Sequence, residues 1–476
     1  MRRIFALFLA SCVCLLSGQS ATSPQPKPLV LAHVTVIDAT GAPAKPDMTV
    51  VITGNRITAI GKDVAVPQDA QIVDAGGKFL IPGLWDMHIH WYDKDLLTLF
   101  TANGVTGVRQ MFGMPVHLQW RHEFEEGKLV GPRMLLASPI VDGPKPVWPG
   151  SISVANEAEG RKAVDKIKKD GYDFVKVYSL LPRDAYFGIA DEAKRQGISF
   201  AGHVPISVSA AEASDAGQKS IEHLTGVLLA CSIREDEFRA QLADEIAKNG
   251  MTGALSGISR RQSKQVTESF SNQKAAALFA RFAKNGTWQC PTLTVLHNMA
   301  YLDDKNVTND PRLKYMPPFL RRNWDPSTDF RMRTMTPADY ANAKASFQKS
   351  LEVVRGMRRA GVEIIAGTDT LNPYCFPGFS LHDELGLLVR AGLTPLDALQ
   401  AATINAAKFL GKLDSLGTVE QGKIADLVLL DANPLEDIGN TKRISAVVMN
   451  GRLFDRKALD HMLNQAEAAA SAAHAR

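Results

Sequence analysis

The stretch Phe79–His90, which reads FLIPGLWDMHIH, constrains the fold of this chain more than any other. Its apolar run predicts a buried strand, and Pro82-Gly83 marks the start of that strand. His88 and His90 stand two residues apart, so on a strand their side chains point to the same face. Two imidazoles on one face can bind a metal ion, but two core histidines would give the same local pattern. This stretch alone leaves both interpretations open.

The composition is that of an ordinary globular protein. Hydrophobic residues make up 45% of the 476 residues and charged residues 22%, which fits a folded chain with a sizeable core. The length exceeds one simple domain, although an α/β barrel with insertions can use most of it. The formal net charge of +4 gives no indication of nucleic-acid binding. We therefore expect no nucleic-acid partner, and the oligomeric state stays open, with a homo-oligomer among the alternatives.

Residues 1–20 predict a secretory signal peptide. A positive segment, Arg2-Arg3, precedes an apolar run over residues 4–16 and a group of small residues suited to cleavage. This apolar run is too short to span a bilayer. Leu9–Cys12 also resembles a lipoprotein box, which would place a lipid on Cys12, but that cut would leave a very short signal. We therefore expect cleavage near residue 20 and an exported protein, periplasmic or secreted, without a transmembrane segment.

Three cysteines lie beyond the predicted signal, namely Cys231, Cys290 and Cys375. Their scattered spacing fits no metal motif, and their number is odd. We therefore expect buried free thiols, and a bridge between one pair is the alternative for an exported protein.

Short β segments flank the central part of the chain. After a Pro/Ser/Thr-rich linker over residues 21–28, residues 29–82 alternate β segments with turn residues. Short β segments separated by turn residues return over residues 413–458, where Asn450-Gly451 predicts a hairpin turn. The two parts are predicted to form one small β-sandwich domain. Residues 459–476 are an Ala/Glu/Gln-rich tail, interpreted as a helix or a frayed end.

Residues 83–412 alternate predicted strands with predicted helices. Repeated βα units indicate a parallel sheet with helices outside, and their number favours a (β/α)8 TIM barrel. Residues 225–350 interrupt this alternation with a mostly helical stretch, a strand over Thr287–Leu296 and a polar segment over residues 298–345. A polar segment of this length predicts a functional lid or insertion. The alternative is a helical insertion that only stabilises the fold. The predicted fold class is α/β, a TIM barrel with a small flanking β-sandwich domain.

Polar residues of one chemical kind follow the predicted barrel strands. Barrel enzymes carry their catalytic groups at the C-terminal ends of strands. Imidazole nitrogens and carboxylate oxygens are ordinary ligands of zinc. Any one such residue alone would more often pack in the core or at the rim, so the indication comes from all of them sharing that position. The six candidates are His88, His90, Lys176, His203, His223 and Asp369.

Lys176 is the unusual member of this set, because nearby cations would repel a protonated amine. Addition of CO2 to the amine would give a carbamate anion that can bridge two metal ions. A lysine paired with a carboxylate at the rim is the alternative. In the company of the other five candidates we prefer the carbamate, which predicts a binuclear site.

These motifs resemble the amidohydrolase superfamily. The chain is most similar to its binuclear branch, which groups imidazolonepropionase-like proteins, Xaa-Pro and Xaa-Arg/Lys dipeptidases, and ochratoxin amidase. The resemblance covers nearly all of the chain that would follow the signal peptide. It is carried by Phe79–His90, Val175–Tyr178, Gly202-His203, Ile221–His223, Ala366–Asp369, Leu381–Leu385, Ala391–Pro395, Ala401–Thr403 and Gly417–Val428.

The resemblance implies a role for each candidate ligand. It implies two divalent ions, expected to be zinc, that are bridged by carboxylated Lys176 and a hydroxide. Asp369 would also accept the proton of the attacking hydroxide and return one to the leaving amine. The remaining ligands would be His88, His90 and Asp369 for the first ion, and His203 and His223 for the second.

The implied activity is hydrolysis of an amide or peptide bond in a small-molecule or dipeptide-like substrate. An N-acyl amino acid, a dipeptide or an ochratoxin-like amide would suit this site. Hydrolysis of a lactone, an ester or a cyclic amide on the same site is the alternative. A non-catalytic binding protein on the same scaffold is a further alternative, which the complete ligand set disfavours.

Five residues are candidates for substrate contact. Tyr178 faces the same side of its strand as the predicted lysine ligand, so it would touch the substrate or stabilise the oxyanion, with a core position as the alternative. Trp91, Tyr92 and Trp148 would form an aromatic rim suited to a bulky apolar acyl group. His297 follows the predicted seventh strand and is either a specificity residue or an exposed loop histidine.

Two departures from the dipeptidase pattern affect the predicted contact with a substrate carboxylate. Pro205 stands where the related dipeptidases usually have a tyrosine, and the loop over residues 141–150 lacks the histidine of their Gly-Gly-His element. Arg109, Lys145 or an arginine from residues 298–345 could take over this contact.

Three more side chains are interpreted by their place relative to the ligands. Glu222 directly precedes His223, so strand alternation predicts that it points the other way and is structural. Asp86 and His382 are candidate hydrogen-bond partners of the metal ligands.

Overall fold

The computed structural model describes residues 27–256 and 258–472. The predicted signal peptide, the lipid-anchor candidate Cys12 and most of the predicted linker lie outside the described residues. In chain order, the strands are β1 (Leu29–Val36), β2 (Lys45–Thr53), β3 (Arg56–Gly61), β4 (Gln71–Asp74), β5 (Phe79–Pro82), β6 (Leu84–Ile89), β7 (Val105–Gln110), β8 (Arg133–Leu136), β9 (Val141–Asp142), β10 (Ile152–Ser153), β11 (Phe174–Val177), β12 (Ser199–Gly202), β13 (Ser220–Glu222), β14 (Trp288–Cys290), β15 (Leu427–Leu430), β16 (Ile444–Met449) and β17 (Arg452–Asp455).

Side-chain caps explain where several helices begin. Asn156, Ser209, Thr336 and Thr394 each accept a hydrogen bond from a backbone N–H of the first helical turn. The α-helices are α1 (Leu97–Ala102), α2 (Pro115–Glu125), α3 (Glu157–Lys169), α4 (Arg183–Gln196), α5 (Ala210–Asp215), α6 (Val227–Ala230), α7 (Glu235–Ser256), α8 (Ile258–Glu268), α9 (Asn272–Asn285), α10 (Leu293–Ala300), α11 (Lys305–Thr308), α12 (Pro318–Trp324), α13 (Pro337–Arg359), α14 (Phe379–Arg390), α15 (Pro395–Ala401), α16 (Ile404–Leu410) and α17 (Arg456–Ala472), and short 3-10 helices span Lys94–Leu96, Pro311–Tyr315 and Ile438–Lys442.

Eight parallel segments close into a barrel. β6, β7 and β8 pair in parallel, and a bridge between Ala137 and Phe174 joins the third of these to β11. β11, β12, β13 and β14 continue the parallel order. A bridge from Gln289 to Ile364 adds the eighth segment, and the backbone N–H of Met87 on β6 donates to the carbonyl of Ala366 over 2.8 Å. The predicted α/β barrel is confirmed.

The two terminal segments build one mixed sheet beside the barrel. Its hydrogen-bonded order is β17-β16-β15-β5-β1-β2-β3, and β4 pairs with β1. The N–H of Ile57 on β3 donates to the carbonyl of Lys423, so the sheet returns to the residues that lead into β15. Its inward side chains form a core separate from that of the barrel. The two terminal segments therefore build one small β-domain together, as the sequence predicts.

The predicted insertion over residues 225–350 is mostly helical and contains α6 to α12 and part of α13. The strand predicted over Thr287–Leu296 is wrong beyond Cys290. Thr292 has a positive φ of 47° and turns the chain into α10. The C-terminal part of the predicted strand is therefore helical.

The tail forms helix α17, which packs on the protein. Leu459, Met462, Ala466 and Ala470 are buried along one face at the spacing of helical turns. Of the two interpretations of the tail, the helix is the one that the structure shows. Cys231, Cys290 and Cys375 are buried and free. In the described part of the chain, none of the helices has the length and apolar character needed to cross a bilayer.

Candidate active site

The side chains of the predicted ligands converge at one end of the barrel. Oδ1 of Asp369 lies 3.0 Å from Nε2 of His90 and 3.4 Å from Nε2 of His88. The ring centres of His88 and His223 are 4.4 Å apart, and those of His203 and His223 are 5.0 Å apart. Ligand atoms of His88, His90 and Asp369 all lie within 4.8 Å of one another. One ion could therefore contact all three side chains.

Three buried nitrogen atoms at this site have no hydrogen-bond partner among the described residues. They are Nε2 of His88, Nδ1 of His90 and Nζ of Lys176. Buried polar atoms in folded proteins almost always have a partner, so these atoms mark a place where another group binds. Imidazole and carboxylate donors suit a divalent cation such as zinc. The residues at this site therefore fit a metal centre.

Lys176 is fully buried on β11. Burial lowers the pKa of Lys176 to about 8, so its amine loses a proton more readily than the amine of an exposed lysine. The neutral amine is the form that adds CO2. The alternative of a rim lysine paired with a carboxylate does not fit, because Nζ is buried and has no hydrogen-bond partner in the described ranges.

Glu222 contacts His88, one of the predicted ligand histidines. Its Oε2 lies 2.7 Å from Nδ1 of His88, and the guanidinium of Arg109 donates to both carboxylate oxygens over 2.9 and 2.8 Å. The prediction that Glu222 points away from the ligands is therefore wrong. β13 ends at Glu222, and His223 and Leu224 both have positive φ angles, 58° and 55°. The alternation of side chains along a strand ends at Glu222, so Glu222 and His223 both reach the site.

Hydroxyl groups hold the two histidines of the predicted second metal. Nδ1 of His223 lies 2.7 Å from Oγ1 of Thr292, and that hydroxyl donates its hydrogen to the carbonyl of Pro291 over 2.8 Å. Nδ1 of His223 must then be the donor, which leaves Nε2 as its lone-pair nitrogen for a metal. Oγ of Ser179 lies 2.9 Å from Nδ1 of His203.

Asp86 ties two ligand-bearing segments together. It accepts hydrogen bonds from the backbone N–H groups of His88 and Thr368 and from the hydroxyl of Thr368. Burial raises the pKa of Asp86 to about 7. The carboxylate thereby connects the end of β6 to the segment that carries Asp369, in agreement with its predicted supporting place.

A cavity of about 600 Å³ opens above the ligands. Its wall includes the aromatic side chains of Tyr92, Trp148 and Tyr178, which are three of the residues predicted to contact the substrate. The segment over residues 298–345 supplies the facing wall, so it takes part in the pocket. That wall includes Leu320, Trp324, Phe330 and Arg331.

Three predicted site residues lie elsewhere. Trp91 is 1% exposed and packs in the core against rings of α2, because β6 ends at Ile89 and alternation stops there. His297 lies on α10 and lines a separate groove, stacked on Tyr301. His382 contacts the hydroxyl of Thr441 and a backbone carbonyl, away from the metal ligands. The predictions of substrate contact by Trp91 and His297, and of ligand support by His382, are wrong.

Comparison with known proteins decides the family. A family model described as the amidohydrolase family matches residues 79–454. The chain belongs to the amidohydrolase family. The predicted resemblance is therefore confirmed.

Individual relatives match this amidohydrolase to different extents. Ochratoxinase from Aspergillus niger is 38% identical over 120 residues, which are 24% of this chain and 24% of that protein. The solved structure of bottromycin amidohydrolase has a TM-score of 0.74 and 25% identity, over 94% of this chain and 91% of that one. A Xaa-Pro dipeptidase with bound methionine has a TM-score of 0.64 and 21% identity, over 90% of this chain and 100% of that one. The dipeptidase thus supports the fold alone.

Tyr178 lines the cavity, and neighbouring side chains hold its ring and its hydroxyl. Its ring stacks on that of His203 with centres 4.0 Å apart, and its hydroxyl accepts a hydrogen bond from the indole N–H of Trp148 over 2.8 Å. Because Trp148 occupies an acceptor position, the hydroxyl keeps its own hydrogen to donate. Of the two interpretations of Tyr178, the structure favours contact with the substrate over a core position.

Of the three suggested contacts for a substrate carboxylate, two do not reach the cavity. Arg109 is fully buried and bound to Glu222. Lys145 is not among the described residues that line the cavity, whereas Arg331 from the 298–345 segment is. The third suggestion is therefore the one that the geometry supports.

Some residues of the candidate site could not be predicted from the sequence. Thr292 and Asn372 carry no recognisable motif. Thr292 contacts His223 after the turn that follows β14, and Asn372 lines the cavity three residues after Asp369. The pairing of Arg109 with Glu222 did leave a signal. Both residues stand in strand-like stretches of the sequence, where a single buried charge is costly and needs a partner of opposite sign.

Proposed function

We propose that this protein is an exported, metal-dependent amidohydrolase that cleaves an amide or peptide bond in a small substrate. An N-acyl amino acid, a dipeptide or an ochratoxin-like amide is the substrate class. The observation that carries this proposal is the convergence of six candidate ligands on one barrel mouth, under a cavity of about 600 Å³. Among these ligands, buried nitrogens of His88, His90 and Lys176 have no protein partner in the described residues.

The donor set would hold two divalent ions, and zinc is the metal that it suits best. Bound there, two such ions would supply a water of lowered pKa and polarise a carbonyl group. Carboxylated Lys176 would supply a negatively charged ligand to both ions. The other ligands would be His88, His90 and Asp369 for one ion, and His203 and His223 for the other.

The protein's own residues would orient the substrate and move protons. Asp369 has Oδ1 beside His88 and His90, and Oδ2 would accept a proton from the attacking water and pass it to the leaving amine. The hydroxyl of Tyr178 would donate to the oxygen of the scissile carbonyl as negative charge develops. Aromatic walls such as Trp148 and Phe330 would exclude bulk water from the substrate.

Export is proposed from the sequence alone. The signal-like segment over residues 1–20 supports it, with cleavage near residue 20 preferred over lipid attachment at Cys12. Secretion of the natural chain with a mature N-terminus near residue 21, read by N-terminal sequencing, tests this part.

An activity screen with metal analysis tests the proposed reaction. Purified protein should hydrolyse members of a panel of N-acyl amino acids and dipeptides, lose activity on chelation, and regain it with added zinc. Turnover of lactones alone would contradict the amide specificity. Stoichiometric zinc without turnover of any amide, ester or lactone would contradict catalysis.

Replacement of Lys176 tests the binuclear centre. Lys176→Ala should bind less than two equivalents of metal and lose at least about a hundredfold in kcat/KM, because the bridging anion is missing. Added propionate, a carboxylate of similar charge, should restore part of this loss. Two tightly bound metals and full activity in the variant would overturn the carbamate.

A further inference from the structure

Glu384 is a fully buried carboxylate on α14 to which the proposed reaction assigns no role. It accepts hydrogen bonds from the backbone N–H of Leu293 over 2.9 Å, and from the backbone N–H and the hydroxyl of Thr294 over 2.7 and 2.9 Å. Leu293 and Thr294 are the first two residues of α10, so their N–H groups have no acceptor within that helix. Glu384 therefore caps α10 from another helix.

Thr292 stands at the position that ordinarily caps such a helix. A threonine there usually has an extended backbone, and its side-chain oxygen accepts from an N–H of the first turn. Thr292 instead has a φ of 47° and a ψ of 51°, and its side chain makes no capping hydrogen bond. Its hydroxyl lies 2.7 Å from Nδ1 of His223 and donates to the carbonyl of Pro291 over 2.8 Å. The contact with a predicted metal ligand thus takes Thr292 away from the helix.

The cap by Glu384 and the contact of Thr292 with His223 support each other. Leu293 and Thr294 are buried, so without Glu384 their N–H groups would lack an acceptor, which is costly in a protein interior. The hydroxyl of Thr292 is then the local group that could replace the cap. A hydroxyl that turned toward α10 would leave Nδ1 of His223 without its partner.

We propose that Glu384 is a positioning residue for the metal centre. By capping α10 it keeps the hydroxyl of Thr292 on His223, which fixes the orientation of that ring and leaves Nε2 free to bind metal. Glu384 is not among the described residues that line the cavity, so it acts only through α10 and Thr292. The inference rests on the proposed function for one point, the role of His223 as a metal ligand.

The tautomer of His223 in the metal-free protein tests Glu384 without relying on turnover. NMR of protein labelled with 15N in histidine alone shows which ring nitrogen carries the hydrogen, and loss of a signal in His223→Gln identifies His223. At about pH 7.5, where an ordinary imidazole is mostly neutral, the wild type should carry the hydrogen on Nδ1. In Glu384→Gln we expect a mixture of the two tautomers.

Glutamine is the sharpest replacement because it keeps the shape of the side chain. Burial raises the pKa of Glu384 to about 8, against the opposing effect of its three donors. Either protonation state keeps lone pairs on both oxygens, whereas the NH2 of glutamine can only donate and would face an N–H of α10. Glu384→Asp keeps both oxygens but is one CH2 shorter. This second variant should show a smaller change in the same direction.

A double-mutant cycle on zinc binding tests the path through Thr292. Competition with a chelator should show that Glu384→Gln raises the dissociation constant of the weaker zinc equivalent by about three- to tenfold. The variant that combines it with Thr292→Val should bind zinc within about twofold of Thr292→Val alone, because the hydroxyl through which Glu384 acts is gone. Effects that multiply in the combined variant, or an equal loss of both zinc equivalents, would overturn this path.

Asp426→Asn is the control for the loss of a buried carboxylate. Asp426 accepts from the backbone N–H of Asn450 and from Arg133, between the barrel and the β-domain. Its replacement should lower Tm, as Glu384→Gln does, and leave the His223 tautomer and the zinc affinity unchanged. A wild-type tautomer in both Glu384 variants, or the same tautomer change in Asp426→Asn, would overturn the positioning role.

Zinc content and turnover separate this inference from the proposed function. A wild type that binds two zinc ions and cleaves no amide would contradict the proposed reaction alone. A wild type that binds no zinc would contradict the metal centre, and the tautomer would still show whether Glu384 orients His223. Unchanged tautomers in Glu384 variants of an active two-zinc enzyme would contradict the role of Glu384 alone.

Discussion

Nδ1 of His88 lies 2.7 Å from Oε2 of Glu222, and both side chains are fully buried in the barrel. The same carboxylate accepts two hydrogen bonds from Arg109, so the charges of an acid and a base balance beneath the proposed metal centre. Because Nδ1 donates to Glu222, the lone-pair nitrogen of His88 is Nε2, which has no partner among the described residues. Glu222 therefore fixes Nε2 as the nitrogen of His88 that would face the proposed metal.

Replacing Glu222 by glutamine should weaken metal binding. The amide is a poorer acceptor for His88 and leaves the charge of Arg109 unbalanced, so we expect metal affinity to fall by about 10- to 100-fold and Tm to fall as well. Competition against a chelator, followed by metal analysis, measures the affinity. Glu436→Gln, at an exposed position, is the matched control. Wild-type affinity in Glu222→Gln would contradict the positioning role.

Thr292→Val should affect the second metal site in the same way. Valine keeps the shape of threonine but removes the oxygen that lies 2.7 Å from Nδ1 of His223. The ring then loses the contact that fixes its tautomer, so the weaker of two metal equivalents should dissociate about tenfold more readily. Thr292→Ser retains the hydroxyl and should behave like the wild type. Identical metal titrations for the valine and serine variants would show that this contact has no effect on the metal.

Tyr178→Phe should lower kcat more than it changes KM. The hydroxyl is held by the indole of Trp148 and would stabilise charge that develops only in the transition state. We expect kcat to fall by about 10- to 100-fold. Steady-state kinetics with the best substrate of the panel measures this change. Trp148→Phe keeps the aromatic wall but loses the indole N–H, and its loss in kcat should be smaller. A rise in KM with unchanged kcat would show that Tyr178 contributes only to substrate binding.

The barrel and the candidate ligands could be predicted because their signals are local. Alternating strand and helix patterns repeat along the chain, and His88, His203 and Asp369 each stand at a strand end where a barrel enzyme carries its chemistry. The chemical types of these residues then limit what they can bind. Neither the prediction of the barrel nor that of the candidate ligands required knowledge of a long-range contact.

The errors arise where the backbone departs from regular structure. Glu222 keeps regular strand geometry and faces the barrel interior with Ser220. His223 reaches the same site because it and Leu224 adopt positive φ angles, which non-glycine residues rarely do and which no local sequence pattern predicts. His297 leaves the site because β14 stops at Cys290 and the chain becomes helical. The contact of Arg331 with Asn372 joins residues 41 positions apart, and it depends on the path of the whole insertion.

Asp383→Asn tests an ion-pair network that joins the barrel to the C-terminal segment. Asp383 on α14 binds Arg312 over 2.5 Å and Lys442 over 2.9 Å, and its side chain is 27% exposed. Burial acts to raise the pKa of Asp383, but Arg312 and Lys442 outweigh it and hold the pKa below its usual value of 3.8. The folded state thus binds the proton less tightly than the unfolded state, so the pair stabilises the fold above pH 3.8 and loses this effect as the pH falls further.

The asparagine variant should therefore be less stable than the wild type by about 1 kcal/mol at neutral pH. Urea denaturation at neutral pH and at several acidic values measures the difference in the free energy of unfolding. This difference should stay constant down to about pH 4 and narrow below it, because the wild-type carboxylate then takes up a proton. Lys457→Gln, which removes a charge outside this network, should show no such narrowing. A difference between Asp383→Asn and the wild type that is the same at every pH would show that the charge of Asp383 contributes nothing, and that only its shape or hydrogen bonding matters.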